Sequence, residues 1–280
     1  MGVEPAGSRL SGGRLLRSPD EVGSDYSVVV ISPHFDDAAL GLGAVLARER
    51  RLGRRPLVVD VCTARPPDSG LSAFARFQHE MWGGGSPWLE REAEESAAMA
   101  RLGADHLWLG LPDAIYRGDL YADEESLFGA LRAEDGPTIA GLAKVLADLT
   151  ARWRPATTYA PLAVGGHVDH RLVRAAALKA SKRGGDLRLY ADVPYCLVPG
   201  ASESALQALG LEASPADEEV LPVDLEAKVA AVGLYRSQAD WIFRNYGPVG
   251  DCLHRLAAGG ARGPGVLTEQ CWRVQPSGPR

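Results

Sequence analysis

From Tyr26 onward the chain alternates short, wholly apolar runs with longer stretches whose apolar residues recur at helical spacing. Ser27-Val28-Val29-Val30-Ile31 is β-branched and apolar without a break, the pattern of a parallel strand buried on both faces. A loop from Ser32 to Asp36 follows, then a helix predicted from Asp37 to Leu52 and stopped by Gly53. Pro56–Cys62 reads as the second strand, so strand, helix and strand make a βαβ unit with a right-handed crossover. Further helices are predicted over 89–102, 138–151, 169–181 and 224–235, and further strands over 106–109, 157–162 and 187–193. Residues 64–88 interrupt the rhythm with Pro66-Pro67 and Gly83-Gly84-Gly85 and read as a long irregular loop. The last 45 residues are mixed. The alternation predicts the α/β class, as a Rossmann-like three-layer α/β/α sandwich with a mostly parallel sheet.

Length alone would allow about two domains. No repeat or low-complexity linker divides the chain, so the expectation is a flexible tail over 1–25 and one domain over 26–280. The tail is rich in Gly, Ser and Arg and lacks the apolar core of a secretory signal. No run of about 18 apolar residues suggests a membrane span. Lys+Arg 30 against Asp+Glu 36 leaves a net charge of −6, without the basic excess that binding a phosphate backbone requires. The expected partner is therefore a small molecule rather than nucleic acid. Four widely spaced cysteines with no CxxC pair read as a reduced, cytoplasmic set. Gly41-Leu42-Gly43 lacks the rest of a dinucleotide fingerprint.

Three of the six histidines fall in two acid-rich clusters. Pro33-His34-Phe35-Asp36-Asp37 lies at the carboxyl end of the first strand, where open parallel sheets bind ligands. One imidazole and two carboxylates suit a divalent ion such as Zn²⁺ with a water in place. The plainer alternative is an aspartate capping the helix beside an ordinary loop histidine. Gly165-Gly166-His167-Val168-Asp169-His170 follows the strand at 157–162 and repeats that placement. There one histidine could bind metal and another face substrate, with the aspartate fixing a tautomer. Arg91 either reaches substrate or pairs with Glu94, and Asp113, Tyr116 and Arg117 either face substrate or structure a turn. His79, Trp82 and Trp88 either stack on a sugar or pin their loop.

PHFDD followed about 130 residues later by HVDH resembles the PIG-L/LmbE family of zinc-dependent N-acetyl-sugar deacetylases. That family's usual motifs are PHPDDE or AHPDDE, and HxDH. Arg91 and Glu94 before Leu102-Gly103, the segment Leu111-Pro112-Asp113, and Lys228 with Tyr235-Arg236-Ser237-Gln238 resemble further family segments. The likeness spans about Val28 to Gln238. Phe35 stands where proline is usual and Ala38 where glutamate is usual. The aromatic variant together with Asp113-Ala114-Ile115-Tyr116-Arg117 is similar to a bacterial subgroup, apart from the glycosylphosphatidylinositol and mycothiol branches.

The resemblance implies that His34, Asp37 and His170 bind Zn²⁺, with Fe²⁺ or another divalent ion also compatible with such ligands. It implies Asp36 as general base, His167 as the group that polarises the carbonyl or protonates the departing amine, and Asp169 as the group that orients a histidine. Arg91, Asp113, Tyr116 and Arg117 are expected to contact substrate. The implied activity is an N-deacetylase of secondary metabolism, a hydrolase of linear amide C–N bonds acting on an amino sugar or glycosylated small molecule. Alternatives are an amidase for a non-sugar N-acyl substrate or thiol conjugate, a hydratase using the same metal-activated water, and a non-catalytic binding module.

Overall fold

The computed structural model describes residues 13–274 except 24, 68, 83–86, 183 and 261. Among these residues the strands are β1 (Leu15–Leu16), β2 (Val28–Ser32), β3 (Pro56–Asp60), β4 (Asp105–Trp108), β5 (Thr157–Pro161), β6 (Leu187–Tyr190), β7 (Ala213–Pro215), β8 (Glu218–Val220), β9 (Leu267–Glu269) and β10 (Cys271–Val274). One sheet takes the order β1-β4-β3-β2-β5-β6-β10-β7, and β8 pairs with β9 apart from it. Neighbours from β1 to β6 are parallel, whereas β10 runs antiparallel to both β6 and β7.

The helices are α1 (Asp37–Arg51), α2 (Ala73–Met81), α3 (Pro87–Leu102), α4 (Glu124–Leu127), α5 (Asp135–Trp153), α6 (Val168–Ser181), α7 (Ala201–Leu209), α8 (Pro222–Val232), α9 (Ala239–Phe243) and α10 (Val249–Ala258). The uninterrupted apolar run of β2 finds its explanation in two cores. Val28 and Val30 join α1, α3 and α8 on one face, while Ile31 joins α5 and α6 on the other. The result is the three-layer α/β/α sandwich.

Strand order positions the chemistry. The chain runs outward from β2 through β3 to β4, then returns to the other side of β2 at β5 and continues to β6. Between β2 and β5 the order reverses, and the carboxyl edge at such a reversal is a crevice. The loops carrying His34 and His167 leave β2 and β5 on either side of it.

Helix α1 is broken at Leu42, where φ is −134°. The amides of Ala44 and Val45, which need new acceptors after the break, donate to Glu269 Oε1 and Oε2 at 3.0 and 2.7 Å. Lys228 Nζ donates to the same carboxylate at 2.6 Å. Gly41 and Gly43 permit this crowding, since a Cβ on them would stand 2.6 Å from Tyr190 and 2.8 Å from Lys228.

Two sequence expectations are corrected. Residues 13–22 are part of the fold rather than tail: Leu15 and Leu16 pair in parallel with His106 and Leu107, and Leu16 and Val22 are buried. A two-residue strand is too short to leave a pattern; residues 1–12 lie outside the described residues. The stretch 64–88 is not irregular throughout, because it contains α2, capped by Ser72 Oγ accepting the Ala75 amide at 3.0 Å. Its glycines at 83–85 lie outside the described residues. Among the described residues no helix is long and apolar enough to cross a membrane.

Candidate active site

The loop between β2 and α1 is shaped by side chains bonding its backbone. Ser32 Oγ donates to the His34 carbonyl at 2.7 Å and accepts the Ala38 amide at 3.1 Å. Asp37 Oδ2 accepts the His34 amide at 2.9 Å. Asp36 takes φ 93° and ψ −36°, a conformation that L side chains rarely adopt, and its carboxylate caps nothing. Its amide is held by Glu95 Oε2 at 3.1 Å, an oxygen that also accepts from the Tyr235 hydroxyl at 2.6 Å. Phe35, the departure from proline, is buried against Trp88 and Trp108 with ring centroids 5.5 and 5.0 Å away. The aromatic ring thus ties this loop to α3 and β4.

His34, Asp37 and His170 each offer a ligand atom, and these atoms all lie within 4.8 Å of one another. His34 Nδ1 and His170 Nε2 both stand 3.3 Å from Asp37 Oδ2. The far nitrogen of each ring is braced by a carboxylate: His34 Nε2 lies 3.0 Å from Asp169 Oδ2, and His170 Nδ1 lies 2.6 Å from Asp192 Oδ1. That arrangement fixes both tautomers and turns two lone pairs toward a common point. The donor set therefore fits a divalent ion. Burial would push the His34 pKa down, but Asp113, Asp169 and Asp37 outweigh it and raise it well above the ordinary value. Asp37 is likewise pushed up by burial but held down at about 2 by His170 and His34. A negative potential that draws charge onto buried imidazoles is the electrostatic counterpart of a cation site.

The remaining cluster residues surround that point. Burial, then Asp37, pushes the Asp36 carboxyl up to about 8. His167 Nδ1 accepts the Asp169 amide at 3.2 Å, which leaves Nε2 to carry the ring proton. Burial and the neighbouring His34 hold His167 well below its ordinary pKa. Asp169 accepts the Ala114 amide at 2.9 Å and is paired with Arg117. Arg117 in turn donates to Asp135 at 2.8 Å, and Asp135 accepts from the Tyr121 hydroxyl.

A cavity of about 350 Å³ opens over these groups, lined by His34, Asp36, Asp37, His167 and His170 together with Arg91 and Asp113. Arg91 is buried, with its guanidinium 4.8 Å from the Trp82 ring centre and its Nε without a hydrogen-bond partner among the described residues. It does not pair with Glu94, whose carboxylate takes the Ser237 amide and hydroxyl at 2.9 and 2.6 Å. Tyr116 and Arg117, expected to contact substrate, stand outside the residues that line the cavity. Tyr116 hydrogen-bonds His79 at 2.6 Å, and Arg117 is committed to Asp169 and Asp135 behind the site. A larger recess of about 490 Å³ lies between the carboxyl ends of α5 and α6 and holds none of these residues.

Sequence reasoning missed Asp192 and the bracing role of Glu95. Asp192 does carry a signal, since it follows β6 at the same sheet edge as the two histidine clusters. Glu95 carries none, being one of several glutamates on α3.

The family model for GlcNAc-PI de-N-acetylase (PIG-L) matches residues 29–181. A 2'-N-acetylparomamine deacetylase from Streptomyces fradiae is 36% identical over 172 residues, a stretch covering 60% of this chain. The chain spans only 57% of that curated relative's length. Among solved structures, the zinc-inhibited form of a teicoplanin deacetylase superposes with a TM-score of 0.74 at 25% identity, covering 90% of this chain and 99% of the other. An A40926 pseudoaglycone deacetylase superposes with a TM-score of 0.72 at 27% identity, covering 91% and 100%.

Proposed function

The chain belongs to the GlcNAc-PI de-N-acetylase (PIG-L) family, and from that membership we propose that it is a zinc-dependent hydrolase removing an N-acetyl group from an amino sugar or its glycoside. The observation that carries this reading is the convergence of His34, Asp37 and His170 within 4.8 Å, each imidazole braced by its own aspartate. The deacetylase names of the relatives support the reaction class, and four free cysteines support a cytoplasmic setting.

His34, Asp37 and His170 would hold the zinc, which when bound supplies Lewis acidity and brings a water's pKa to about 7. Asp36, buried beside that trio, takes a proton from the attacking water. Asp169 and Asp192 keep the two ligand histidines in register. His167 directs Nε2–H at the amide and stabilises the developing oxyanion, while the proton taken up by Asp36 is the one that passes to the departing amine. Arg91 and Asp113, both in the cavity wall, meet the sugar hydroxyls.

The test is acetate and free-amine release from a panel of N-acetylated amino sugars, with metal content measured in parallel. Asp36→Asn lowers kcat about a thousandfold while metal content stays near that of the unaltered protein. Full activity in Asp36→Ala would overturn the mechanism. A hydrated adduct in place of acetate would move the protein to the hydratase reading.

A further inference from the structure

Asp36 occupies the N-cap position of α1, where an aspartate ordinarily turns its carboxylate back onto the second or third amide of the helix. Its carbonyl accepts the Leu40 amide at 2.8 Å, so the helix does start from it. Yet its φ of 93° and ψ of −36° lie far from the extended backbone of a cap, and its side chain makes no cap bond and lines the cavity instead. Two neighbours account for that. Ser32 Oγ takes the Ala38 amide at 3.1 Å, one of the two that the carboxylate would have served. Glu95 Oε2 takes the amide of Asp36 itself at 3.1 Å and so holds the peptide in its turned orientation.

Folding alone does not call for a glutamate at this place. Glu95 is fully buried on α3, and its Oε1 has no hydrogen-bond partner among the described residues. Burial lifts its pKa from 4.5 to about 7, although the bonds from Tyr235 and from the Asp36 amide oppose the rise. An apolar side chain would fill the same space without that desolvation cost. The Tyr235 hydroxyl, itself buried, donates to Oε2 at 2.6 Å and fixes where that oxygen points. A costly buried group whose bonds serve one strained residue is the pattern of a functional support. The metal ligands do not depend on it. Asp37 holds the His34 amide, Ser32 holds the His34 carbonyl, and Asp169 and Asp192 hold the two rings.

We propose that Glu95, with Tyr235 behind it, is a positioning residue that keeps Asp36 from capping α1 and so presents the Asp36 carboxylate to the attacking water. The proposal rests on the deacetylase reading, in which Asp36 is the base. Misplacing a reacting group by about 1 Å costs about a hundredfold in rate. Because Glu95 touches neither metal ligand nor cavity, that loss falls on kcat and leaves KM and zinc binding as they were.

The experiment follows acetate release from N-acetylglucosamine by the zinc-loaded protein, with zinc content and a crystal structure for each variant. Glu95→Leu is expected to lower kcat about a hundredfold at unchanged KM and zinc content. Glu95→Gln should restore most of the rate, because its amide oxygen accepts the same two bonds. Combined with Asp36→Asn, Glu95→Leu should cost nothing further, since residues that act as a unit are not additive. In the crystal structure of Glu95→Leu, Asp36 should take a negative φ and lay its carboxylate on the Ala39 amide. The proposal is overturned by an equal loss with and without Asp36→Asn, by a loss in Glu95→Gln as large as in Glu95→Leu, or by an Asp36 backbone that stays as it is. Where Glu95→Leu does not fold, Tyr235→Phe strands no donor and carries the same test, and unchanged kcat in that variant overturns the proposal. An unaltered protein that releases no acetate removes the deacetylase reading, while the conformation of Asp36 in the crystals still upholds or overturns the clamp.

Discussion

Arg117 shows how a residue behind a site can govern it. Its guanidinium holds Asp169, whose other oxygen takes His34 Nε2, and it is itself anchored by Asp135 and stacked 4.9 Å from the Tyr121 ring centre. Replacing such a support typically weakens metal binding 10- to 100-fold, by figures of about that order. Arg117→Met is therefore expected to lower zinc affinity by that factor in competition with a chromophoric chelator, with Arg117→Lys intermediate. Unchanged affinity in Arg117→Met would sever the relay from the metal site.

A second residue bears on pH. His106 is fully buried in β4, neither ring nitrogen has a hydrogen-bond partner among the described residues, and burial lowers its pKa from 6.5 to about 4. The unfolded chain binds a proton there below pH 6.5 that the folded chain refuses until about pH 4. Stability is thus lost as pH falls through that window, by about 3 kcal/mol in all. His106→Leu is expected to remove this part of the slope, read as a smaller drop in the urea midpoint between pH 6.5 and 4. An unaltered slope would show that His106 is accommodated in its charged form.

At the scale of elements, the break in α1 depends on a carboxylate from the far end of the chain. Glu269 caps Ala44 and Val45 while neutralising the buried Lys228. Glu269→Ala leaves two amides and an ammonium group without partners, and losing one member of a buried pair costs about 3–5 kcal/mol. Denaturant titration should find that loss, and adding Lys228→Met should recover part of it. A double variant as unstable as the sum of the single ones would mean that the two residues act independently. Helix α2 is the opposite case, well capped at its start but with little buried surface. Lying between Pro66-Pro67 and Gly83-Gly84-Gly85, it reads in the sequence as part of an irregular loop, and nothing in that string says that Phe74 and Phe77 line a cavity.

At the scale of the whole molecule, the crevice is made by strand order. The loops after β2, β5 and β6 contribute His34, His167 with His170, and Asp192 to one edge, and α3 brings Glu95 and Arg91 beneath and beside them. Because the proposed ligands His34, Asp37 and His170 come from separate βα units, metal binding there should stabilise the entire fold. Free zinc at a hundredfold its Kd adds about 2.7 kcal/mol, so chelation is expected to lower Tm by several degrees, as scanning calorimetry would read. A Tm indifferent to chelator would argue against a site shared across the sheet.

What was legible in the sequence was whatever is encoded locally. The β-branched run of β2, the capped and amphipathic helices, and the two histidine–aspartate strings are each written in neighbouring residues, because strand and helix periodicity act over a few positions. Their strand-end placement even located the edge at which they would meet. Pairings between distant segments were not legible. Leu15–Leu16 joining β4, Asp192 bracing His170, Glu95 holding a strained Asp36, and Arg117 turning away from the cavity toward Asp169 all depend on residues brought together by the sheet. The sequence by itself determined the layers and the inventory of chemical groups. The tertiary structure alone decided which groups face the cavity and which stand behind it, because that assignment follows from strand order and packing and from no single stretch of chain.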